Sequence, residues 1–525
     1  MRKKINNIKK CVTAVATVAI LAASVSTPVK ASEEVPYITY TYDYYGDVKY
    51  TPAAYVPDGT VSGTNLGCGE FNSPQDINTD DEGNIYVADT GNNRVVVIGP
   101  DYKLKRIIDT VNEDGKTSKL SSPSGLYAVG DEKLYIADTE NKRVIEVDEN
   151  NNVIKTISNP KSDSLGDDFV FTPLKVAVDY ADRVYVIAKN QFEGILTFNE
   201  NGEFAGYTGT INVQITPIEK FWKKFSTKAQ RSKQQLYIPT EFTGIEIDDA
   251  GFVYATNKDS EGEQSVRRLN PSGDDVIQQK TTGLSGDLNW KLTGDYSGPS
   301  QIVDVVVRDK GIYSIIDSAR GRIFTYDHEG NLLYIFGGLG TQQGTFDVPT
   351  GIDAAGDEIL VIDSAKNIID KFKATEYGSL INEAIGLRYD GDEIKAVEKW
   401  KEVLKHDSNF ELAYVGIGKS YLTAGNNKKA MECFETGNDK QYYSIAYKRY
   451  RNEILKAHLE QALTIVVILA IVLILWKKVF KKRFKTNKKR KEKINDKKAV
   501  FHWQFYSYSY LQYAFPQTDN MQDSL

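Results

Sequence analysis

Short runs in which apolar and polar residues alternate fill the chain from about residue 70 to residue 373 and predict β-strands. One phrase recurs there: a proline, two residues, an aliphatic strand, a turn, a second strand, an aspartate and a third strand. Polar turns such as 148–151 and 199–202 then lead into a fourth strand, because Asn, Asp and Gly tolerate the positive φ of a hairpin. The copies open at Pro74, Pro123, Pro173, Pro239, Pro299 and Pro349.

Six repeats of four short antiparallel strands predict a mainly β domain, a six-bladed β-propeller within residues 32–375. A β-solenoid is the alternative, but its rungs would be shorter than these repeats, whose opening prolines lie 49 to 66 residues apart. The repeats start at about residues 70, 122, 172, 238, 299 and 348.

Two of the copies carry a recognisable motif. Residues 86–95 read Tyr-Val-Ala-Asp-Thr-Gly-Asn-Asn-Arg-Val, and residues 135–144 read Tyr-Ile-Ala-Asp-Thr-Glu-Asn-Lys-Arg-Val. These segments resemble the NHL-repeat family, and the resemblance extends over about residues 70–373. It implies a six-bladed propeller.

In the clear copies an aspartate ends the second strand and an arginine opens the third strand five positions later. A carboxylate and a guanidinium on either side of a tight turn can pair across it. Because the pattern repeats, we interpret it as an intra-blade clamp and predict no catalytic residue from it. The pairs are Asp89 and Arg94, Asp138 and Arg143, and Asp317 and Arg322.

A propeller ring needs a contact between its two chain ends. Segment 36–43 alternates as a strand, whereas the last repeat has no fourth strand before helical sequence begins. We therefore predict that strand 36–43 pairs with the last blade and closes the ring, which would remove exposed sheet edges.

The apolar period changes from 2 to 3.6 near Tyr377 and predicts helices over 376–460. A glycine, an alanine and an aromatic residue recur there after 34 residues, which resembles the tetratricopeptide repeat and implies docking of a peptide or partner protein. A plain spacer is the alternative. The packing residues are Gly391, Ala396 and Trp400, and then Gly425, Ala430 and Phe434.

Two apolar stretches predict contact with a membrane. Residues 1–31 combine a basic start, an apolar run and small residues, which is typical of a secretory signal peptide; an uncleaved anchor is the alternative. Stretch 461–480 predicts one transmembrane helix, with a buried core helix as the alternative. By the positive-inside rule, the basic block after it places the C-terminus in the cytoplasm and the propeller outside the cell membrane.

The net charge of −6 over 525 residues conceals an uneven distribution. Residues 32–476 carry 46 basic and 67 acidic residues, and so acidic a body argues against nucleic acid as a partner. Three Cys and four His argue against a disulfide-stapled scaffold and a His-rich metal enzyme. The tail 481–525 is basic up to Lys498 and then aromatic. This change fits two alternatives equally: a segment at the membrane interface, or a C-terminus altered by a frameshift or truncation.

One insertion between the third and fourth repeats reads as a basic amphipathic helix. Its apolar face would lie on a membrane surface, dock on an acidic partner or pack on its own domain. The residues that define it are Phe221, Trp222, Phe225, Lys223 and Lys224.

The sequence as a whole favours a membrane-tethered binding or scaffold protein of a bacterial envelope, in which the propeller recognises an extracellular carbohydrate or protein. Resemblance to envelope NHL proteins implies an accessory role in solute uptake. We predict no cofactor. The alternative is a metal-dependent, lactonase-like hydrolase that would use calcium, and a third reading is a structural spacer. The acids that would ligate calcium near the first strands are Asp76, Asp179, Glu246, Asp248, Asp304 and Asp353.

Overall fold

The computed structural model describes residues 34–130, 132–162, 165, 169–210, 241–259, 262, 264–277, 285–288 and 298–506, the last eight by their backbone alone. The predicted signal peptide, the tail beyond residue 506 and the basic amphipathic helix lie outside the described residues. That helix contains Phe221, Trp222, Lys223, Lys224 and Phe225.

Six antiparallel sheets form a propeller, which confirms the predicted fold. The first strand of each sheet contacts the first strands of both neighbouring sheets, and the sixth contacts the first, so the ring is closed around an axis. The chain begins with β1 (Tyr40–Tyr42), β2 (Val48–Tyr50), β3 (Tyr55–Ser62) and α1 (Gly63–Leu66).

The first three blades follow one another along the chain, each in strand order from the axis outward. Blade 1 comprises β4 (Asp76–Thr79), β5 (Ile85–Asp89), β6 (Arg94–Ile98) and β7 (Leu104–Ile108), and a hairpin of β8 (Thr110–Glu113) and β9 (Lys116–Lys119) follows it. Blade 2 comprises β10 (Pro123–Val129), β11 (Lys133–Asp138), β12 (Arg143–Val147) and β13 (Val153–Ser158). Blade 3 comprises β14 (Pro173–Val178), β15 (Val184–Ala188), β16 (Ile195–Phe198) and β17 (Phe204–Thr208).

The last three blades keep this order, although the described residues of blade 4 supply three strands. Blade 4 comprises β18 (Phe242–Ile247), β19 (Val253–Asn257) and β20 (Val266–Leu269). Blade 5 comprises β21 (Ile302–Arg308), β22 (Ile312–Asp317), β23 (Arg322–Tyr326) and β24 (Leu332–Phe336). Blade 6 comprises β25 (Pro349–Ala355), β26 (Glu358–Asp363) and β27 (Ile368–Ala374).

The fourth strand of blade 6 comes from the start of the chain, but it is not the predicted strand 36–43. β3 pairs antiparallel with β27, with Ser62 opposite Ile368 and Tyr55 opposite Ala374. Within 36–43 the structure has β1, which pairs with β2 in a separate hairpin. The prediction of closure by an N-terminal strand therefore named the wrong strand. β3 contains Pro57, which an outer strand tolerates because one of its edges needs no hydrogen bonds.

Four helices follow the last blade as two helical hairpins. Each hairpin has a glycine at positive φ between its helices, Gly391 and Gly425, and then a capping side chain. Asp392 accepts from the backbone N–H of Lys395, and Asn426, 34 residues later, accepts from that of Lys429. The helices are α2 (Glu376–Tyr389), α3 (Glu393–His406), α4 (Glu411–Thr423) and α5 (Asn427–Thr436).

The helical hairpins and blade 5 are joined by ion pairs. Glu329, in the turn after β23, pairs with Arg388 of α2 at 2.8 Å and with Lys419 of α4 at 2.5 Å. Lys310, in the turn after β21, pairs with Asp390 at 2.9 Å. Both turns lie at the end of blade 5 that is opposite the start of its first strand, β21.

One described helix is long and apolar enough to span a membrane: α6 (Lys440–Tyr506). Its apolar run from Ala462 to Trp476 is exposed on every side of the helix. An apolar run without protein packed on it is what a lipid-facing helix requires.

The closing strand gives a stability prediction. Val61 is 6% exposed and packs in the core shared by blades 1 and 6. We expect Val61→Asp to lower the free energy of unfolding by about 3 kcal/mol or more, because it buries an unpaired charge at the ring closure. Urea denaturation measures this, with Tyr50→Asp on the exposed part of β2 as the control. Equal destabilisation by both variants would contradict closure by β3.

Candidate functional site

Five of the six first strands have a β-bulge near their start. A bulge adds one residue to a strand and re-aims its side chain, which is common next to binding sites. In blades 2 to 6 the pairing of the first two strands shifts by one residue at this point. In blade 1 the corresponding residue, Gln75, immediately precedes β4. The bulged residues are Ser124, Leu174, Thr243, Val303 and Thr350.

The five bulged residues and Gln75 line a cavity of about 410 Å³ at the end of the axis where the first strands begin. Each blade therefore contributes one residue to one ring. Lys175 also lines the cavity, together with Glu241, Phe242 and Lys258. We call this space the axial cavity.

The hydroxyl groups of the ring also join neighbouring blades. Ser124 Oγ donates to the carbonyl oxygen of Leu174 at 3.0 Å, and Thr243 Oγ1 donates to that of Ile302 at 3.0 Å. Thr350 Oγ1 donates to Pro74 O at 3.1 Å. The same side chains thus hold the ring together and border the axial cavity.

A layer of three charged residues and three glycines lies one position further along the first strands. Lys175 Nζ is 3.2 Å from Asp304 Oδ2 and also pairs with Asp76 Oδ1. The three charged residues sit on alternate blades, 1, 3 and 5, and we call them the axial triad. Blades 2, 4 and 6 have Gly125, Gly244 and Gly351 at this position.

The glycines leave the room that the charged side chains need. A Cβ on Gly244 would lie 2.4 Å from Asp304 Oδ1, and one on Gly125 would lie 2.6 Å from the Cα of Lys175. Both distances are too short for any real Cβ. The axial triad therefore requires glycine at positions 125 and 244, whereas a Cβ on Gly351 would make an ordinary contact, 3.5 Å from Asp304 Oδ2.

Burial governs the ionisation of these groups. It raises the pKa of Asp304 to about 6, although Lys175 lowers it. Burial would lower the pKa of Lys175, but Asp304 and Asp76 hold it above the ordinary value. Lys175 is thus a fixed ammonium ion.

Two more carboxyl groups follow on the side of the axial triad away from the cavity. Burial raises the pKa of Asp353 to about 7. It also raises the pKa of Glu246 well above its usual range, and the nearby charge of Asp353 raises it further. These two acids therefore hold protons more tightly than solvated carboxyl groups.

Four of the six acids predicted as calcium ligands thus lie along the axis, namely Asp76, Glu246, Asp304 and Asp353. The other two make ion pairs in turns: Asp179 with Arg183 at 2.7 Å, and Asp248 with Arg268 at 2.7 Å. In the part of the chain that the structure describes, no three His, Cys, Asp or Glu side chains are grouped so that they could hold a metal ion.

Two of the predicted clamp pairs are in contact. Arg94 Nε lies 2.6 Å from Asp89 Oδ2, and Arg143 Nε lies 2.9 Å from Asp138 Oδ2. The other oxygen of each aspartate accepts a backbone N–H from the loop that enters its own blade, Asn72 or Ser121, at 2.7 Å. These aspartates therefore fix the loops that lead to the axial cavity.

The third predicted pair is arranged differently. Asp317 pairs with Arg320 at 3.3 Å. Arg322 contacts Asp287 and donates to the hydroxyl of Tyr40 at 2.6 Å. The guanidinium is thus drawn to an acid from the segment between blades 4 and 5 and to the N-terminal hairpin.

The residues of the tetratricopeptide-like pattern lie in the helical hairpins, away from the axial cavity. Ala396 and Trp400 are on α3, and Ala430 and Phe434 are on α5, all buried. Gly416 and Gly418 of α4, which the pattern did not single out, pass directly against Trp400 and Phe434. The tetratricopeptide resemblance itself stays a prediction.

The lining of the axial cavity was not predicted from the sequence. The signal that could have revealed it is the residue that directly follows the opening proline in four of the six repeats, such as Ser124 after Pro123. In blades 4 and 5 that proline position is held by Phe242 and Ile302, three residues after Pro239 and Pro299. Pro239 lies outside the described residues.

The family model of the NHL repeat matches residues 71–98, which contain β4, β5 and β6. Blade 1 of the six-bladed propeller therefore contains an NHL repeat. A comparison with curated proteins finds no match to the chain.

Solved structures similar to this propeller include virginiamycin B lyase from Staphylococcus aureus, at 10% identity and a TM-score of 0.37, covering 58% of this chain and 97% of that one. A Bacteroides thetaiotaomicron protein of unknown function has 14% identity and a TM-score of 0.38, over 61% and 73% of the two chains. The PQQ-bound aldose sugar dehydrogenase of Streptomyces coelicolor has 14% identity and a TM-score of 0.35, over 62% and 100%. At these TM-scores the likenesses support no inference about ligand or activity.

The axial triad gives a second stability prediction. We expect Lys175→Met to cost about 3–5 kcal/mol of unfolding free energy, because it leaves two buried carboxylates without their cation. Adding Asp76→Asn and Asp304→Asn to that variant should restore most of the loss. Chemical denaturation of the three proteins checks this, and a triple variant as unstable as the single one would contradict it.

The buried acids predict how stability depends on pH. Their pKa values are higher in the folded than in the unfolded chain, so the stability they contribute is complete below about pH 4 and is lost as the pH rises through 6 to 7. Asp353→Asn should flatten the decline of the melting temperature between pH 4 and pH 8. Asp357→Asn, in the exposed turn after the same strand, should keep the wild-type slope. Parallel slopes for the two variants would refute the assignment.

Proposed function

We propose that the protein is a membrane-tethered binding protein whose propeller lies outside the cell and holds a carbohydrate or a segment of a partner protein in the axial cavity. The observation that carries the proposal is the ring formed by the five bulged residues and Gln75, because one residue from each blade borders a single space of about 410 Å³. Ligand cavities commonly measure about 300–1,000 Å³. An accessory role in solute uptake would use the same binding step.

The chemistry of the cavity supports binding rather than catalysis. Lys175 is held as an ammonium ion between two carboxylates, and so it cannot serve as a base or nucleophile. The same ammonium occupies the position between Asp76 and Asp304 in which a calcium ion would have to lie. The metal-dependent hydrolase considered above therefore gains no support from the described residues.

The tether rests on α6. Its exposed apolar run suits the hydrocarbon of a bilayer, and thirteen Lys and Arg follow it between Lys477 and Lys498. Such a block next to a span favours the cytoplasmic side. The propeller, on the other side of the apolar run in the sequence, would then face outward.

Intact cells that produce the full chain test the binding and the sidedness together. They are incubated with fluorescent glycans and peptides that do not cross membranes, and retained label is measured by flow cytometry. We expect at least one probe to bind wild-type cells but not cells with Val303→Trp, because the indole fills the axial cavity. Val129→Trp, at the exposed far end of β10, is the matched control and should bind as wild type does.

Each part of the proposal has its own contrary outcome. Binding that appears only after the cells are permeabilised would overturn the sidedness. Equal binding by Val303→Trp would overturn the cavity as the site. Wild-type protein that is folded and retains no probe before or after permeabilisation would overturn the binding function.

A further inference from the structure

We infer that the axial cavity takes a neutral sugar, which binds mainly by donating hydrogen bonds from its own hydroxyl groups. The inference rests on the proposed binding function and narrows its ligand to one class.

The first argument is the state of the hydroxyl groups on the wall. A serine or threonine hydroxyl has one proton and two acceptor lone pairs. Thr350 Oγ1 donates its proton to Pro74 O. Ser124 Oγ hydrogen-bonds Leu174 O and Thr139 Oγ1, and Thr243 Oγ1 hydrogen-bonds Ile302 O and Thr256 Oγ1; in each hydroxyl pair either oxygen could be the donor. Among the described residues, both lone pairs of Thr350 and at least one lone pair each of Ser124 and Thr243 are thus left for a ligand that donates.

The second argument is the charge around the cavity. The lone pairs on the wall disfavour phosphate or carboxylate, which can only accept hydrogen bonds. Lys175 is already paired with Asp76 and Asp304, and the charge of Lys258 is offset by that of Glu241 in the same lining, so the lining has no excess of positive charge that would attract an anion. Glu241, the acid among the lining residues, accepts a backbone N–H from Asn190 at 2.5 Å. A neutral ligand with several donors satisfies these conditions together.

The third argument is the apolar part of the lining. Leu174, Phe242 and Val303 border the same space as the hydroxyl groups. A sugar ring presents hydroxyl groups at its edge and C–H groups on its faces, so it matches a wall that has both kinds of surface. The cavity of about 410 Å³ lies at the small end of the usual range, which fits one or two sugar rings.

Isothermal titration of the full chain in phosphatidylcholine nanodiscs tests the inference, since many detergents are themselves glycosides. The probes are glucose, galactose and maltose, their fully O-methylated derivatives, glucose 6-phosphate and glucosamine. We expect at least one of the free sugars to bind with a dissociation constant between about 1 μM and 1 mM. The methylated, phosphorylated and amino derivatives should bind at least tenfold more weakly.

Two threonines provide matched variants. Thr350 and Thr90 each donate one hydrogen bond to a carbonyl of a neighbouring blade, at 3.1 Å to Pro74 O and 2.6 Å to Pro123 O, but only Thr350 lines the axial cavity. Thr350→Val should weaken sugar binding about tenfold, the equivalent of one lost hydrogen bond of about 1.4 kcal/mol. Thr90→Val should leave the affinity unchanged, and Thr350→Ser should retain it.

The inference falls if the methylated sugars bind as well as the free ones, or if Thr350→Val and Thr90→Val bind alike. It also falls if no sugar binds while a peptide or anionic probe binds wild type and not Val303→Trp, an outcome that leaves the proposed function intact. If no probe of any class binds the folded wild type, the proposed function fails with it.

Discussion

Pairing between β3 and β27 is the constraint on which the rest of the structure depends. It completes blade 6 with a strand from the other end of the domain, and it brings Tyr55 to the contact of blade 5 with α2. There Arg308 donates to the hydroxyl of Tyr55 at 2.7 Å, and Asn382 of α2 donates to the same oxygen at 3.2 Å. One strand therefore closes the ring and attaches the helices to it.

Closure of the ring in turn determines which side chains meet on the axis. Six first strands brought to one centre leave little space, and each layer of side chains along them must share it. The layer of bulged residues keeps an open cavity bordered by hydroxyl and apolar groups. The next layer fills the centre with two carboxylates and one ammonium, for which Gly125 and Gly244 leave the necessary room. The axial triad therefore occupies the axis directly next to the cavity, which Lys175 also lines.

Much of the fold was predictable because repeated strands and turns are local patterns. The number of blades and the contacts of Asp89 with Arg94 follow from spacing within a repeat. The closing strand did not follow, since Pro57 and Gly59 interrupt its pattern, whereas 36–43 alternates cleanly and forms only a hairpin. The partner of Arg322 is Asp287, which sequence spacing within one blade cannot reveal. The cavity lining was missed because a bulge has no side-chain signature and because blades 4 and 5 lack the proline that marks its place.

The order in which the chain is synthesised determines when the ring can close. A ribosome releases Tyr55–Ser62 long before it releases Ile368–Ala374, so the first of these strands exists for most of synthesis with neither edge paired. Such an edge can pair with a wrong partner. A chain that ends before Ile368 lacks β27 and cannot pair it with β3, so closure of the ring requires that the whole domain has been made.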